Sequence, residues 1–263
     1  MRIFLVLLIA IMLSGPSSAQ IIPPALGEIS SGSWLAFGVN QDLDTIKNGG
    51  WQSSTYIGIG RLNPAERNNP FKQQGIFVLN QEFYNRFHTN WEYSLALSYR
   101  KQEVYSKNEP FIHADPRFKN EFRVYGRFSR LFKTDFVEIT PTFRQEVINY
   151  FTPDFKDYRE SLRLRSRFRL KFAFPLDQQK SHRLIFYSEQ LFSISQEKSE
   201  SNRKWTAFDY KDSRFSLYYS LYSQHIPFTF NLGYMHNLIG KHSTHSAHYI
   251  ALDMIWKNPF NIN

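Results

Sequence analysis

Five cations spaced two residues apart carry the clearest chemistry in this chain: Arg163, Arg165, Arg167, Arg169 and Lys171. A row of guanidinium and ammonium groups attracts anions, and pores that favour anions are ringed with such residues. Glu138, Glu146 and Glu189, on the flanking segments, are the expected partners for part of the row. Each cross-strand ion pair stabilises by only ~0.2–1 kcal/mol. A second group lies near the C-terminus, where His236, His242, His245 and His248 sit close to Ser243 and Ser246. Adjacent Ser and His suit nucleophilic attack on a lipid ester, and three histidines so close together are candidates for loose metal binding. No G-x-S-x-G motif accompanies them, and Asp253 is the one acid near enough in sequence to orient a histidine. His242, His245 and His248 therefore stand as an alternative site. No catalytic, cofactor-binding or metal-ligating residue is assigned, and no cofactor is expected.

The cations need an element with a period of two. In 159–174, Leu162, Leu164, Phe168, Leu170, Phe172 and Phe174 share one parity, broken by Ser166, and the cations hold the other. A helix would scatter them, whereas a strand puts all cations on one face. The run exceeds the usual ~5–6 residues of a soluble strand and suffices for the roughly 9–11 that cross a bilayer. The same alternation recurs in 91–102, 121–132, 136–147, 214–222, 228–237 and 247–256. Segments 33–41, 51–60, 75–87 and 183–194 are strand-like but less cleanly polarised, and the phase of 183–194 is ambiguous. By parity the polar face carries thirteen basic and seven acidic residues, so pairing leaves a positive excess.

Connections alternate in length. Turns at 88–90, 133–135 and 223–227 are short, while 106–117, 150–157, 196–210 and 239–246 are longer and polar. Short turns at one end and long loops at the other is the layout of an outer-membrane barrel. Eleven candidate strands are countable, and bacterial barrels of this kind use even numbers. The expectation is a transmembrane antiparallel up-and-down β-barrel of about ten to twelve strands, settling at ten or twelve. A lipocalin-like barrel would turn its apolar face inward with only eight strands, and a β-sandwich would need shorter ones. Trp91, Tyr99, Tyr105, Tyr222 and Trp256 fall near strand ends, where interfacial aromatic girdles sit. Trp205, Phe208 and Tyr210 in the 196–210 loop suit recognition.

The bulk numbers agree. The 263 residues include no Cys, which excludes disulfides and Cys-ligated metal, and the aromatic content is 17%. A mean hydropathy of -0.45 excludes a helical membrane bundle but not a barrel, whose strands spend half their positions on a polar lumen. Arg2, the apolar stretch 3–13 and Ser17-Ser18-Ala19 read as a cleaved secretory signal. Export removes nucleic acid from the partners that a net charge of +9 would otherwise suggest. The expected organisation is a signal peptide at 1–19, an N-terminal extension at 20–32 and a barrel at 33–260.

The chain from Trp34 onward resembles the family called domain of unknown function 2490. The resemblance rests on the early Trp34 hairpin, the 91–100 strand ending in Tyr99-Arg100, and Phe143-Arg144-Gln145-Glu146. It continues through Arg163-x-Arg165-x-Arg167 and Ser188-Glu189-Gln190-Leu191-Phe192. It implies an exported outer-membrane β-barrel and brings no catalytic residues. The expected role is a non-enzymatic barrel of the cell outer membrane, either a narrow anion-leaning pore or a structural or recognition barrel. The alternative is a lipid-modifying enzyme with a Ser/His site near the last extracellular loop. Expected partners are outer-membrane lipid and lipopolysaccharide, the barrel-assembly machinery through the C-terminal strand, and small anions.

Overall fold

The computed structural model describes residues 21–260, apart from 25, 27–28, 44–49, 64–68, 107–108, 199–201, 223–225 and 242–243. The expected signal segment lies outside the described residues. The elements in chain order are β1 (Ser31–Asp42), β2 (Gly50–Asn63), β3 (Gln73–His88), β4 (Trp91–Tyr105), β5 (His113–Arg130) and the short β6 (Phe132–Lys133). Then come β7 (Glu138–Phe151), β8 (Asp157–Pro175), β9 (His182–Lys198), the short β10 (Arg203–Trp205), β11 (Asp209–Tyr222), β12 (Phe228–Ile239) and β13 (His245–Lys257). Among the described residues there is no helix.

Each long strand pairs antiparallel with the next, from β1 round to β13. The sheet then closes on itself, because β1 pairs with β13 from Ser31 opposite His248 to Asn40 opposite Lys257. The wall is a closed barrel of eleven strands. The even count expected from the sequence does not hold, since all eleven candidate segments stand in the wall. With an odd number of alternating strands the first and last run the same way, and β1–β13 is indeed parallel. β10 folds back on β9, and β6 on β7, at the rims.

The alternation read from the sequence sets the faces. On β4, Leu95 and Leu97 are 60% and 62% exposed on the outside, while Ser94, Ala96 and Ser98 are buried inside. Leu35, Phe37, Ile57, Leu79, Val124, Phe168, Leu217 and Leu252 continue this apolar surface around the barrel. Exposed apolar area of this extent is stable against hydrocarbon, and a closed barrel leaves no unpaired edge there. Aromatic rings cluster at the short-turn rim, where Trp91 packs on Phe128 at 5.0 Å and Phe228 on Trp256 at 5.5 Å. A second cluster sits towards the long-loop end, with Tyr99 on Phe122 and Phe192 on Phe208. Pro141 faces outward from β7 without breaking the strand. The phase of β9 also resolves: Leu184, Phe186, Ser188, Gln190 and Phe192 point out, and Ile185, Tyr187, Glu189, Leu191 and Ser193 point in.

Candidate functional site

The cation row of β8 faces the lumen, as a strand of that pattern must once its Leu and Phe face outward. Glu146 of β7 lies beside it, completely buried among four guanidinium groups. Arg144 Nε is 2.6 Å away, Arg123 Nη1 2.7 Å, Arg167 Nε 2.8 Å and Arg165 Nη1 3.9 Å. Glu189 of β9 joins Arg167 at 3.3 Å to Arg214 at 3.5 Å, and Arg214 also meets Asp212 at 3.2 Å. Glu121 pairs with Arg123, and with Arg100 at 3.5 Å. Glu82 meets Arg127 at 3.2 Å and accepts hydrogen bonds from Tyr125 and Ser94. Each of these five carboxylates is paired and hydrogen-bonded, which offsets the cost of burying its charge.

The expected partners divide. Glu146 and Glu189 join the row, but Glu138 pairs with Arg183 at 3.6 Å and Lys133 at 3.9 Å and with none of the five ladder cations. Arg163 is held by Glu160 through two 2.6 Å hydrogen bonds. Arg169 leans on the Tyr187 ring at 5.4 Å. Among the described residues neither Arg169 nor Lys171 has a carboxylate within ion-pair distance.

The lumen also holds part of the expected N-terminal extension. Residues 21–24, Leu26 and Ile29 lie inside the barrel, and Ser31 and Gly32 of the expected extension already belong to β1. Ile21, Leu26 and Ile29 are buried in one apolar cluster with Trp34, Ile76, Tyr218 and Tyr249. The Leu26 amide donates to the Tyr249 hydroxyl at 3.1 Å, and Gln102 donates to the Leu26 carbonyl at 3.2 Å. Two glycines make room for this segment. A Cβ at Gly38 would stand 3.0 Å from Ile21 Cδ1, and one at Gly75 would stand 3.2 Å from Leu26 Cδ1. The poor polarisation of 33–41 and 51–60 in the sequence follows from this, because their inner face is built to receive a chain rather than water.

Residues 21–24 line one gap of about 40 Å³ together with Arg100, Arg127, Arg144, Arg167 and Arg169. Beyond the segment, towards the long-loop end, the lumen opens into a cavity of about 580 Å³. Lys119, Arg163, Arg165, Tyr150 and Ser195 are among its lining. Lys119 escapes a reading by clean alternation, because β5 starts at His113, well before its regular pattern begins.

The C-terminal Ser/His group separates. His242 and Ser243 lie outside the described residues. His245 points inward and its Nε2 meets the Ile29 carbonyl oxygen at 2.8 Å, whereas His248 points outward. Residues three apart on a strand face opposite sides, so these two do not share a site. Asp253 is buried in the lumen and does not orient either outer histidine. On the outside, at the long-loop rim, His236 and His248 stack at 4.8 Å. Ser246 Oγ lies 2.5 Å from His236 Nε2, and His248 Nδ1 lies 2.6 Å from the Tyr234 hydroxyl. No cluster of three His or acidic residues able to hold a metal occurs among the described residues.

No family model and no curated protein matches the sequence. Among solved structures, the β domain of the Bordetella autotransporter BrkA is similar at a TM-score of 0.45 and 7% identity. The match covers 80% of this chain and 83% of that one.

Proposed function

We propose that the protein is an outer-membrane β-barrel, akin to domain of unknown function 2490, that is closed at rest by its own N-terminal segment. Its long-loop side then carries a cationic vestibule facing the exterior. One observation carries this reading: residues 21–24, Leu26 and Ile29 occupy the lumen of a wall whose outer surface is apolar. Ion pairing supports closure rather than free passage, because Glu146, Glu189, Glu121 and Glu82 tie most lumenal arginines to one another. Eleven strands also lie between the eight whose interior is filled by side chains and the sixteen that enclose a channel.

The test is conductance in a planar bilayer under a salt gradient, on protein taken from the outer-membrane fraction. The full chain should pass almost no current. Deletion of residues 20–29 should give steady conductance with a reversal potential on the anion side, since Arg169 and Lys171 keep the uncovered lumen positive. Large conductance by the full chain, or a cation preference after deletion, would defeat the reading. Recovery of the protein as a soluble periplasmic species would defeat the barrel's placement.

A second reading has the Ser246–His236 contact in its favour. A serine hydroxyl within reach of an imidazole, on the lipid side of the rim, is the pair needed for acyl transfer from a lipid ester. Under this reading Ser246→Ala and His236→Ala each abolish phospholipid hydrolysis by the purified barrel, and His245→Ala leaves it intact. Absence of hydrolysis by the unaltered protein rules this reading out.

A further inference from the structure

The 580 Å³ cavity at the long-loop end has the size of a small-molecule site, which spans roughly 300–1,000 Å³. Its lining is unusual for such a site. Eight basic and five acidic side chains surround it, and Ile76 and Ile239 are its only aliphatic members. A fatty chain has nothing to lie against there. Hydroxyls contribute instead, from Tyr150, Ser193, Ser195 and Thr206.

The positive excess is localised. Arg163 is neutralised by its two hydrogen bonds to Glu160. Arg165 has only Glu146, 3.9 Å away and already held by three closer arginines. Lys119 has no carboxylate within ion-pair distance among the described residues. Its ammonium lies 4.5 Å from the centre of the Tyr150 ring, and the Arg163 guanidinium lies 5.3 Å from the same ring. Lys119 and Arg165 thus border one cavity with charge left uncancelled, with the Tyr150 ring on the strand between them and the hydroxyls of Ser193 and Ser195 on the next strand. An oxyanion satisfies the cations, and a hydroxyl-bearing body satisfies the rest.

We propose that this vestibule is a binding site for an anionic saccharide, a sugar bearing a phosphate or carboxylate, held at its charged end by Lys119 and Arg165. The proposal rests on the reading of the barrel as closed beneath the cavity, so that the ligand is retained rather than passed.

The test is calorimetric titration of the full chain in detergent with glucose 6-phosphate, glucuronate, glucose and inorganic phosphate. The two anionic sugars should bind and glucose should not. Phosphate should bind more weakly than glucose 6-phosphate. Lys119→Gln and Arg165→Gln should each weaken glucose 6-phosphate by about tenfold, the loss of one hydrogen bond to a charged group. Glu160→Gln should tighten binding by freeing Arg163, a gain that misfolding does not produce. Lys156→Gln, in an exposed loop where the lysine is tied to Asp154, should change nothing. Altered migration of unboiled against boiled samples checks that each variant is folded. Equal affinity for glucose and glucose 6-phosphate, or indifference to both cation variants, would overturn the proposal. Phosphate binding as tightly as the sugar phosphate would overturn the saccharide assignment. Conductance separates the two readings: an open channel that still binds sinks closure alone, and a closed barrel that does not bind sinks only this site.

Discussion

Glu146 is the residue on which the interior turns. One buried carboxylate holds Arg123, Arg144 and Arg167 within 2.8 Å, and those arginines reach on to Glu121 and Glu189. Its removal leaves buried guanidinium groups facing one another without their shared carboxylate, and breaking a buried pair in this way costs about 3–5 kcal/mol. Glu146→Gln should therefore lower the temperature at which the barrel loses its compact gel mobility, well beyond the change produced by Glu138→Gln, whose partners are partly exposed. Equal shifts for the two variants would mean that the network is not a unit. Parity made Glu146 and Glu189 legible in the sequence, because parity determines which face a side chain takes. It does not determine which neighbour a long side chain reaches, and so Glu138, expected beside the ladder, meets Arg183 and Lys133 instead. His245 and His248 were grouped by closeness in sequence, where strand geometry sends them to opposite faces.

At the scale of the element, legibility tracked how far each strand obeys a single rule. β4 and β8 alternate cleanly and were read with their faces. β9 breaks the rule on both sides, carrying Ile185, Tyr187 and Leu191 inward and Ser188 and Gln190 outward. The outward polar groups are bonded across strands: Ser166 to Gln145 at 2.7 Å, Ser213 to Gln190, and Gln81 to Ser53 at 2.8 Å. Each pair satisfies donors and acceptors that would otherwise face hydrocarbon. The strand count was legible but its parity was not, since evenness is a habit of bacterial barrels and no residue pattern encodes it. The β1–β13 seam makes the odd count testable. Phe37 pairs with Met254 in register, both on the outer face, and neighbouring strands lie ~4.8 Å apart, within reach of a disulfide. The chain has no Cys of its own. Phe37→Cys with Met254→Cys should cross-link under mild oxidation, and Phe37→Cys with Asp253→Cys should not, because the second pair points to opposite faces. Cross-linking of the shifted pair in preference would refute the seam.

For the whole molecule, the wall was read from alternation and the lumen was not. The contents of a lumen depend on what the chain brings inside, and residues 21–30 have no periodicity to announce themselves. Pro23 and Pro24 remove two backbone donors from the segment. The barrel interior divides into an apolar side, where Ile21 and Leu26 lie with Trp34 and Tyr249, and an ionic side built on β4 to β9. The thirteen basic and seven acidic residues that parity places on the lumenal face point to an anion-leaning interior. Much of that charge is bound up in pairs, and Lys119 and Arg165 border the cavity at the long-loop end.

The parallel seam has a consequence for the order of assembly. Its partners, such as Ser31 and His248, come from the first and last strands. Loop closure of that length is entropically the costliest in the chain and comes after the nearer pairings. The segment joined directly to β1 is therefore beside the sheet while the sheet is still an open ribbon. Zipping the seam last wraps the ribbon around it, and no threading through the long-loop mouth is required. The occupant of the lumen then serves as a mandrel on which the eleventh strand meets the first.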